Sequence, residues 1–288
     1  MKRVILGQMI GSVIAVISIC LIASSPVLAS AISEIKSNEL VEMETRPGIK
    51  EKFILVKPVE PKASVILLEG GPGKLDLGSL SGRPTIGNQN VTLLVQKRDD
   101  LSKKGLIVAA VDAPSDQQSK RGMELDFRIG NEHAQDIKAI ANYLRTQANI
   151  PVWVVGISAS TLSVPNAVIR LGEGIDGIVL LSSGTKMRKE WPLFKSHPNG
   201  ILDMELGKVK VPALIIAHEG DQCDLTPPAD AIKIKEALIN SPKAEVVKFS
   251  GGASARSDAC REKSPHGFYG IEEQVITAIA DFIKANSK

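Results

Sequence analysis

At 288 residues, with 43% hydrophobic and 23% charged side chains, the chain has room for one large domain or two small ones and an ordinary globular composition. Its net charge of +3 falls to near zero without Lys2 and Arg3, so a basic nucleic-acid surface is not expected. Aromatic residues make up only 3%, too few for platforms that stack sugars or bases.

The N-terminal stretch reads as an export signal. Lys2 and Arg3 form a positive n-region, residues 13–22 an apolar h-region, and Val27-Leu28-Ala29 a small-residue cleavage site, so residues 1–29 are expected to be a signal peptide. An uncleaved membrane anchor is the competing reading, because the apolar stretch from 4 to 22 nearly reaches spanning length. Cys20 lacks the preceding small residues that a lipoprotein site needs. A periplasmic or secreted protein, without stable membrane association after cleavage, is the expectation. Loss of Cys20 leaves Cys223 and Cys260, an even pair in an oxidising compartment. A disulfide between them would close a loop of roughly 37 residues and stabilise the fold by about 4 kcal/mol, less any strain. Two free thiols are the alternative.

Residues 30–38 read as a polar linker and 39–288 as one domain. Residues 40–46 and 53–57, joined through Arg46-Pro47-Gly48, read as a hairpin at a sheet edge. Ala63–Leu68 is an apolar strand that runs into Glu69-Gly70-Gly71-Pro72-Gly73, and Leu106–Val111 is a second, ending at Asp112. Residues 131–148 carry helical spacing in Ile137, Ile140, Ala141 and Leu144, with Glu132 in the first turn. Residues 152–155 are a strand of the kind buried on both faces, followed at once by Gly156-Ile157-Ser158-Ala159-Ser160 and a helix. Gly177–Leu181, 213–217 and 245–249 complete the strands, with helices at 228–240 and 271–285. Residues 184–208 lack periodicity and read as a short lid-like insertion. Strands alternating with helices imply an α/β fold, a mostly parallel sheet with helices on both faces.

Chemistry enters at Ser158. A serine on a tight strand-to-helix turn is strained, with its hydroxyl in the open and helix N–H groups behind it. The usual pattern is G-x-S-x-G, and here the last position is Ser160; taken alone, the pentapeptide could equally be a plain turn. A serine nucleophile needs a base and a carboxylate that orients it. In a parallel sheet the loops at the carboxyl ends of the strands share one edge. Two such loops hold Asp221, in Ala217-His218-Glu219-Gly220-Asp221, and His266, in Ser264-Pro265-His266-Gly267. The candidate triad is Ser158, Asp221 and His266. The N–H groups of Gly71 and Ala159 are the candidate oxyanion hole, with a mere turn at Gly71 as the alternative. His218 competes weakly as base and reads better as a structural histidine bonding loop backbone. His133 reads as a surface or capping residue, and His197 has no supporting partner. Arg98 with Asp99, and Asp112 with Asp116, read as loop-pinning ion pairs. No histidines and carboxylates show metal-ligand spacing, so neither metal nor cofactor is expected.

The chain resembles an α/β-hydrolase, and more narrowly a group of exported bacterial α/β-hydrolases of mostly unassigned substrate. The resemblance rests on LLEGGPG, QKRDDL, VAAVDAPSDQ, FRIGNEHAQDI, VWVVGISAS, AHEGDQCDLTPP and DACREKSPHGFYGIE, which span nearly all of residues 39–288. That group typically has a basic residue after the serine, where this chain has Ala159. Within this frame a Cys223–Cys260 bridge would tie the acid loop to the base loop. The expected activity is hydrolysis of an acyl bond, a carboxylic ester before an amide, in a small-molecule substrate. A non-catalytic binding protein on the same scaffold and an acyltransferase are the other readings.

Overall fold

Ten strands form among the described residues, and five of them are runs in which every residue is buried. In chain order they are β1 (Ile35–Arg46), β2 (Ile49–Pro58), β3 (Ala63–Leu68), β4 (Leu77–Leu80), β5 (Arg83–Ile86), β6 (Leu106–Val111), β7 (Val152–Ile157), β8 (Gly177–Leu181), β9 (Ala213–His218) and β10 (Ala244–Phe249). The fully buried runs are β3, β6, β7, β8 and β9. These observations come from a computed structural model that describes Met1 and residues 33–287. Apart from Met1, the expected leader, with Cys20, lies outside the described residues.

The main sheet has the order β1-β2-β6-β3-β7-β8-β9-β10. The β1–β2 hairpin is antiparallel, and β2 joins β6 antiparallel, with Phe53 opposite Val111. From β6 to β10 every pairing is parallel. Alternate side chains of these strands feed two separate cores. Ile66, Val154, Leu180 and Ile215 point to one face, covered by α4 (Asn131–Gln147), α5 (Ser163–Leu171) and α6 (Asp230–Ala237). Leu67, Val155, Val179 and Ile216 point to the other, covered by α1 (Leu93–Gln96), α2 (Arg98–Lys103) and α7 (Glu272–Asn286). Two-sided burial is the physical reason these strands carry uninterrupted Val, Ile and Leu.

β3 has β6 on one side and β7 on the other, so the chain reverses direction of travel across the sheet at β3. The carboxyl ends of β3 and β7 therefore open a crevice where the loop holding Gly71 and the turn holding Ser158 meet.

Three features depart from the sequence-based expectation. β1 begins at Ile35, inside the stretch read as a linker. The β4–β5 ribbon, α1, α2 and α3 (Leu125–Arg128) lie on either side of β6 within residues 77–128, each too short for periodicity to show. Residues 184–208 form three one-turn 3₁₀ helices, Pro192–Lys195, Gly200–Asp203 and Leu206–Lys208, rather than structureless chain. Residues 33–287 form one compact unit.

Candidate active site

Ser158 follows β7 directly and opens a 3₁₀ turn, Ser158–Thr161, that leads into α5. Its φ is +58°, the left-handed region that a non-glycine residue seldom enters. The turn is compressed from both sides. A Cβ on Gly156 would sit 2.7 Å from Val164 Cγ2 and 2.8 Å from the Ser160 carbonyl, so only glycine fits there. Ser160, where the usual pattern has glycine, is fully buried. Its Oγ accepts from the Ile157 N–H at 2.8 Å, and its one proton faces the Leu68 and Ile157 carbonyls at 2.8 and 2.9 Å. The departure at this position is thus a built-in tie between the serine turn and the end of β3.

Asp221 follows β9 and His266 sits on a short 3₁₀ turn, Pro265–Gly267, after β10. The His266 Nδ1 to Asp221 Oδ2 distance is 3.0 Å. Thr226 Oγ1 donates to the same Asp221 oxygen at 2.9 Å and lies 3.1 Å from His266 Nδ1, while the Cys223 N–H donates to Asp221 Oδ1 at 2.9 Å. With the carboxylate acceptor-only, Nδ1 carries the proton and Nε2 is left basic. The histidine backbone is held too. Ser182 Oγ, just past β8, donates to the His266 carbonyl at 2.8 Å, and Ser264 Oγ accepts from its N–H at 3.2 Å. Ser158, Ser182 and Asp221 thus follow three neighbouring strands, which brings the histidine to the edge where the serine emerges. Neither Ser158 Oγ nor His266 Nε2 has a hydrogen-bond partner among the described residues. Asp221 and His266 are thus bonded to each other, and no bond joins Ser158 to His266 among the described residues.

Ser158, Ala159 and Gly71 line a cavity of about 880 Å³. Apolar wall comes from Met123, Leu125, Leu225 and two residues of the lid-like segment, Trp191 and Leu193. Asp221 and His266 are buried, at 9% and 4% exposure, and are not part of this wall. The Cys223–Cys260 disulfide joins the acid loop to the segment that leads to the base, and Cys260 lines the same cavity.

Gly71 has φ +49°, a conformation glycine adopts freely, and Ala159 is the second residue of the 3₁₀ turn, whose N–H has no intrahelical acceptor. The loop behind Gly71 is fastened by buried charge. Glu69, 4% exposed, accepts from the Thr92 N–H at 3.1 and 3.2 Å and from Thr92 Oγ1 at 2.9 Å. Burial pushes its pKa up to about 7 against these hydrogen bonds. Arg128, with no exposed surface, donates to the Gly71 carbonyl at 2.8 Å, and burial pushes its pKa down to about 10. Sequence reasoning missed Thr226, Ser182, Glu69 and Arg128. Only Thr226 had a local cue, its place in the loop of Asp221.

The remaining candidates fall as follows. His218 Nδ1 accepts from the Gly220 N–H and Nε2 donates to the Gly251 carbonyl, both at 3.0 Å, so both nitrogens serve loop backbone. His133 is not at the surface: it has no exposed area, its ring lies 5.2 Å from that of Phe127, and neither nitrogen has a partner among the described residues. It lies one turn before Ile137, on the apolar face of α4, which is why it is buried. The His197 ring lies 2.8 Å from Ser196 Oγ through Nδ1, on the neighbouring residue. Asp112 pins the loop through the N–H groups of Leu75, Leu77 and Ala113 rather than through an ion pair, whereas Asp116 pairs with Arg46 at 3.0 Å. Arg98 and Asp99 lie 3.7 Å apart on α2, away from the cavity wall. Cys223, Asp224 and Cys260 bring three potential ligand atoms within 4.8 Å, but the two sulfurs are joined to each other and offer no thiolate.

No protein-family model and no curated protein sequence matches the chain. Solved structures do. A dienelactone hydrolase from Anabaena variabilis superposes with a TM-score of 0.59 at 16% identity, over 88% of this chain and 99% of that one. Est1E from Butyrivibrio proteoclasticus gives 0.56 at 14% identity, covering 86% and 98%. The esterase Pf2001 from Pyrococcus furiosus gives 0.57 at 16% identity, covering 86% and 92%. At such identities the likeness speaks for the backbone, and it agrees with the strand order and the serine turn: this chain has the α/β-hydrolase fold.

Proposed function

We propose that the protein is an exported serine hydrolase that cleaves an acyl bond, a carboxylic ester, through Ser158, His266 and Asp221. The observation that carries the reading is Ser158 in a left-handed turn at the cavity, on the same sheet edge as a histidine already bonded to a buried carboxylate. In this reading the Ser158 proton passes to His266 Nε2 as Oγ bonds to the acyl carbon. The carbonyl π electrons move to oxygen, and the N–H groups of Gly71 and Ala159 hold that oxyanion. Collapse of the tetrahedral species expels the alcohol, which takes the proton from His266. Water then repeats the sequence on the acyl-enzyme, freeing the acid and Ser158. Asp221 stays ionised and keeps His266 in the required tautomer.

The cavity volume lies in the range of small-molecule sites, and the similar structures named as esterases and as a dienelactone hydrolase favour an ester. Export is supported by the disulfide, a bond that persists in oxidising compartments, together with the leader pattern. The test is labelling of the purified protein by a fluorophosphonate probe, alongside Ser158→Ala and His266→Ala. Wild type labels and both variants do not. Absence of label on folded wild type sinks the catalytic reading in favour of a binding role.

A further inference from the structure

Whoever holds an oxyanion donor in place matters as much as the donor, and here the candidate loop is Glu69-Gly70-Gly71-Pro72-Gly73, rich in residues with little conformational preference of their own. The geometry points to Arg128 as a positioning residue that clamps this loop from inside the core and so holds the Gly71 N–H toward the reacting carbonyl. The proposal rests on the serine-hydrolase reading above.

Arg128 ends α3 and is fully buried. Its Nη2 donates to the Gly71 carbonyl at 2.8 Å, with the Glu69 carbonyl at 3.4 Å, and its Nη1 reaches Ser163 Oγ at 3.5 Å. Ser163 is the first residue of α5, the helix behind Ser158 and Ala159. One planar guanidinium therefore touches both segments that carry the candidate oxyanion donors, and its fixed fork sets their spacing. The packing is tight. A Cβ on Gly73 would fall 2.2 Å from Met123 Cε and 2.8 Å from Arg128 Nη2. The Met123 N–H donates to the Pro72 carbonyl at 2.8 Å, so the chain leading to α3 also grips the loop.

A purely structural role accounts poorly for this residue. Arg128 Nε has no partner among the described residues, and a buried charge is costly enough that apolar replacements often match or improve stability. Glu69, whose carboxyl is bonded to Thr92 at the base of the same loop, supplies the opposing charge.

The test compares wild type, Arg128→Met and Arg128→Lys on a p-nitrophenyl ester, with thermal unfolding and hydrogen exchange of residues 69–73. Arg128→Met is expected to lower kcat roughly 10²-fold, the loss typical of one oxyanion donor, with KM within about twofold and the melting temperature held. Exchange at Gly71 rises in parallel, and Arg128→Lys, which restores one donor, recovers part of kcat. If wild type turns over and Arg128→Met stays within about threefold of it, the positioning role fails and the hydrolase reading stands. If kcat and KM fall only with the melting temperature, or neither variant folds, Arg128 is a stability element and the proposal is overturned. Wild type without turnover overturns the parent reading and this one with it.

Discussion

Two buried polar regions flank Ser158, and they are fastened by different physics. On one side, Asp221 and His266 are held by neutral donors and acceptors: Cys223 N–H, Thr226 Oγ1, Ser182 Oγ and Ser264 Oγ each meet a defined atom. A covalent link, Cys223–Cys260, joins the loops, and closing a loop of that length contributes about 4 kcal/mol. On the other side, Glu69, Arg128 and His133 are buried with shifted pKa values, and Arg128 Nε and both His133 nitrogens lack partners among the described residues. The first region is tied by hydrogen bonds and one covalent bond. The second depends on which of its members carry charge.

The largest effect that would sharpen this contrast comes from Asp221→Asn. The amide offers N–H₂ toward Nδ1 and favours the tautomer with the proton on Nε2, where a base needs a lone pair. A drop of roughly 10⁴ in kcat with the fold intact is expected. Steady-state kinetics and thermal unfolding check it, and a loss under tenfold would mean that Asp221 merely staples the loop.

Next in size is the acid limb of stability, which belongs to the second region. Burial, then Arg128 and Arg46, lowers the His133 pKa from 6.5 to about 3. Below pH 6.5 the unfolded chain takes up a proton that the folded chain does not, so stability falls as pH drops toward about 3. Glu69 has the opposite sign. Its pKa rises from 4.5 to about 7, so the folded chain keeps a proton that the unfolded chain has released, and stability falls as pH climbs through that interval. Between 4.5 and 6.5 the two slopes oppose. His133→Leu removes one of them, and because neither ring nitrogen has a partner the loss near neutrality is small. Urea midpoints from about pH 3 to about pH 8 should show the acid limb flattened by several kcal/mol at its low end, leaving exposed the opposite slope to which Glu69 and the buried Glu51, its carboxyl pKa also raised by burial, both contribute. An unchanged acid limb would place its origin elsewhere.

The same two regions differ in how far the sequence revealed them. Asp221 and His266 stand in loops after β9 and β10, and a parallel sheet gathers such loops on one edge, so their juxtaposition was legible from strand order. β3, β6 and β8 were legible to the residue because strands buried on both faces admit only apolar side chains. Arg128 was not legible. Its contacts exist only where the loop after β3, α3 and the start of α5 converge, and, β6 apart, residues 77–128 hold elements of three to six residues too short to carry a repeating pattern. His133 was misread because its polarity hid its position, although it sits four residues before Ile137 and shares that apolar face. Ser160 was read as a departure from a motif, when its hydroxyl fills hydrogen-bonding needs that the backbone cannot.

Ser160 sits on the seam between the two regions, and it yields the smallest effect and the one where pattern and physics disagree in sign. Ser160→Gly restores G-x-S-x-G, so a reading from the motif alone expects a better nucleophile turn. The structure predicts the reverse. The substitution strips the buried Ile157 N–H of its acceptor and frees the Leu68 carbonyl, at the point where β3 and β7 hand their loops to the site. An unpaired buried donor costs about 1–3 kcal/mol, and glycine adds backbone freedom to a turn that must hold Ser158 at positive φ. Thermal unfolding should register a loss of that size, with kcat down severalfold and KM little changed. Ser160→Ala separates the two causes, because it removes the hydroxyl without adding backbone freedom. Equal losses in both variants assign the effect to the hydrogen bonds, and a loss confined to glycine assigns it to the strained turn.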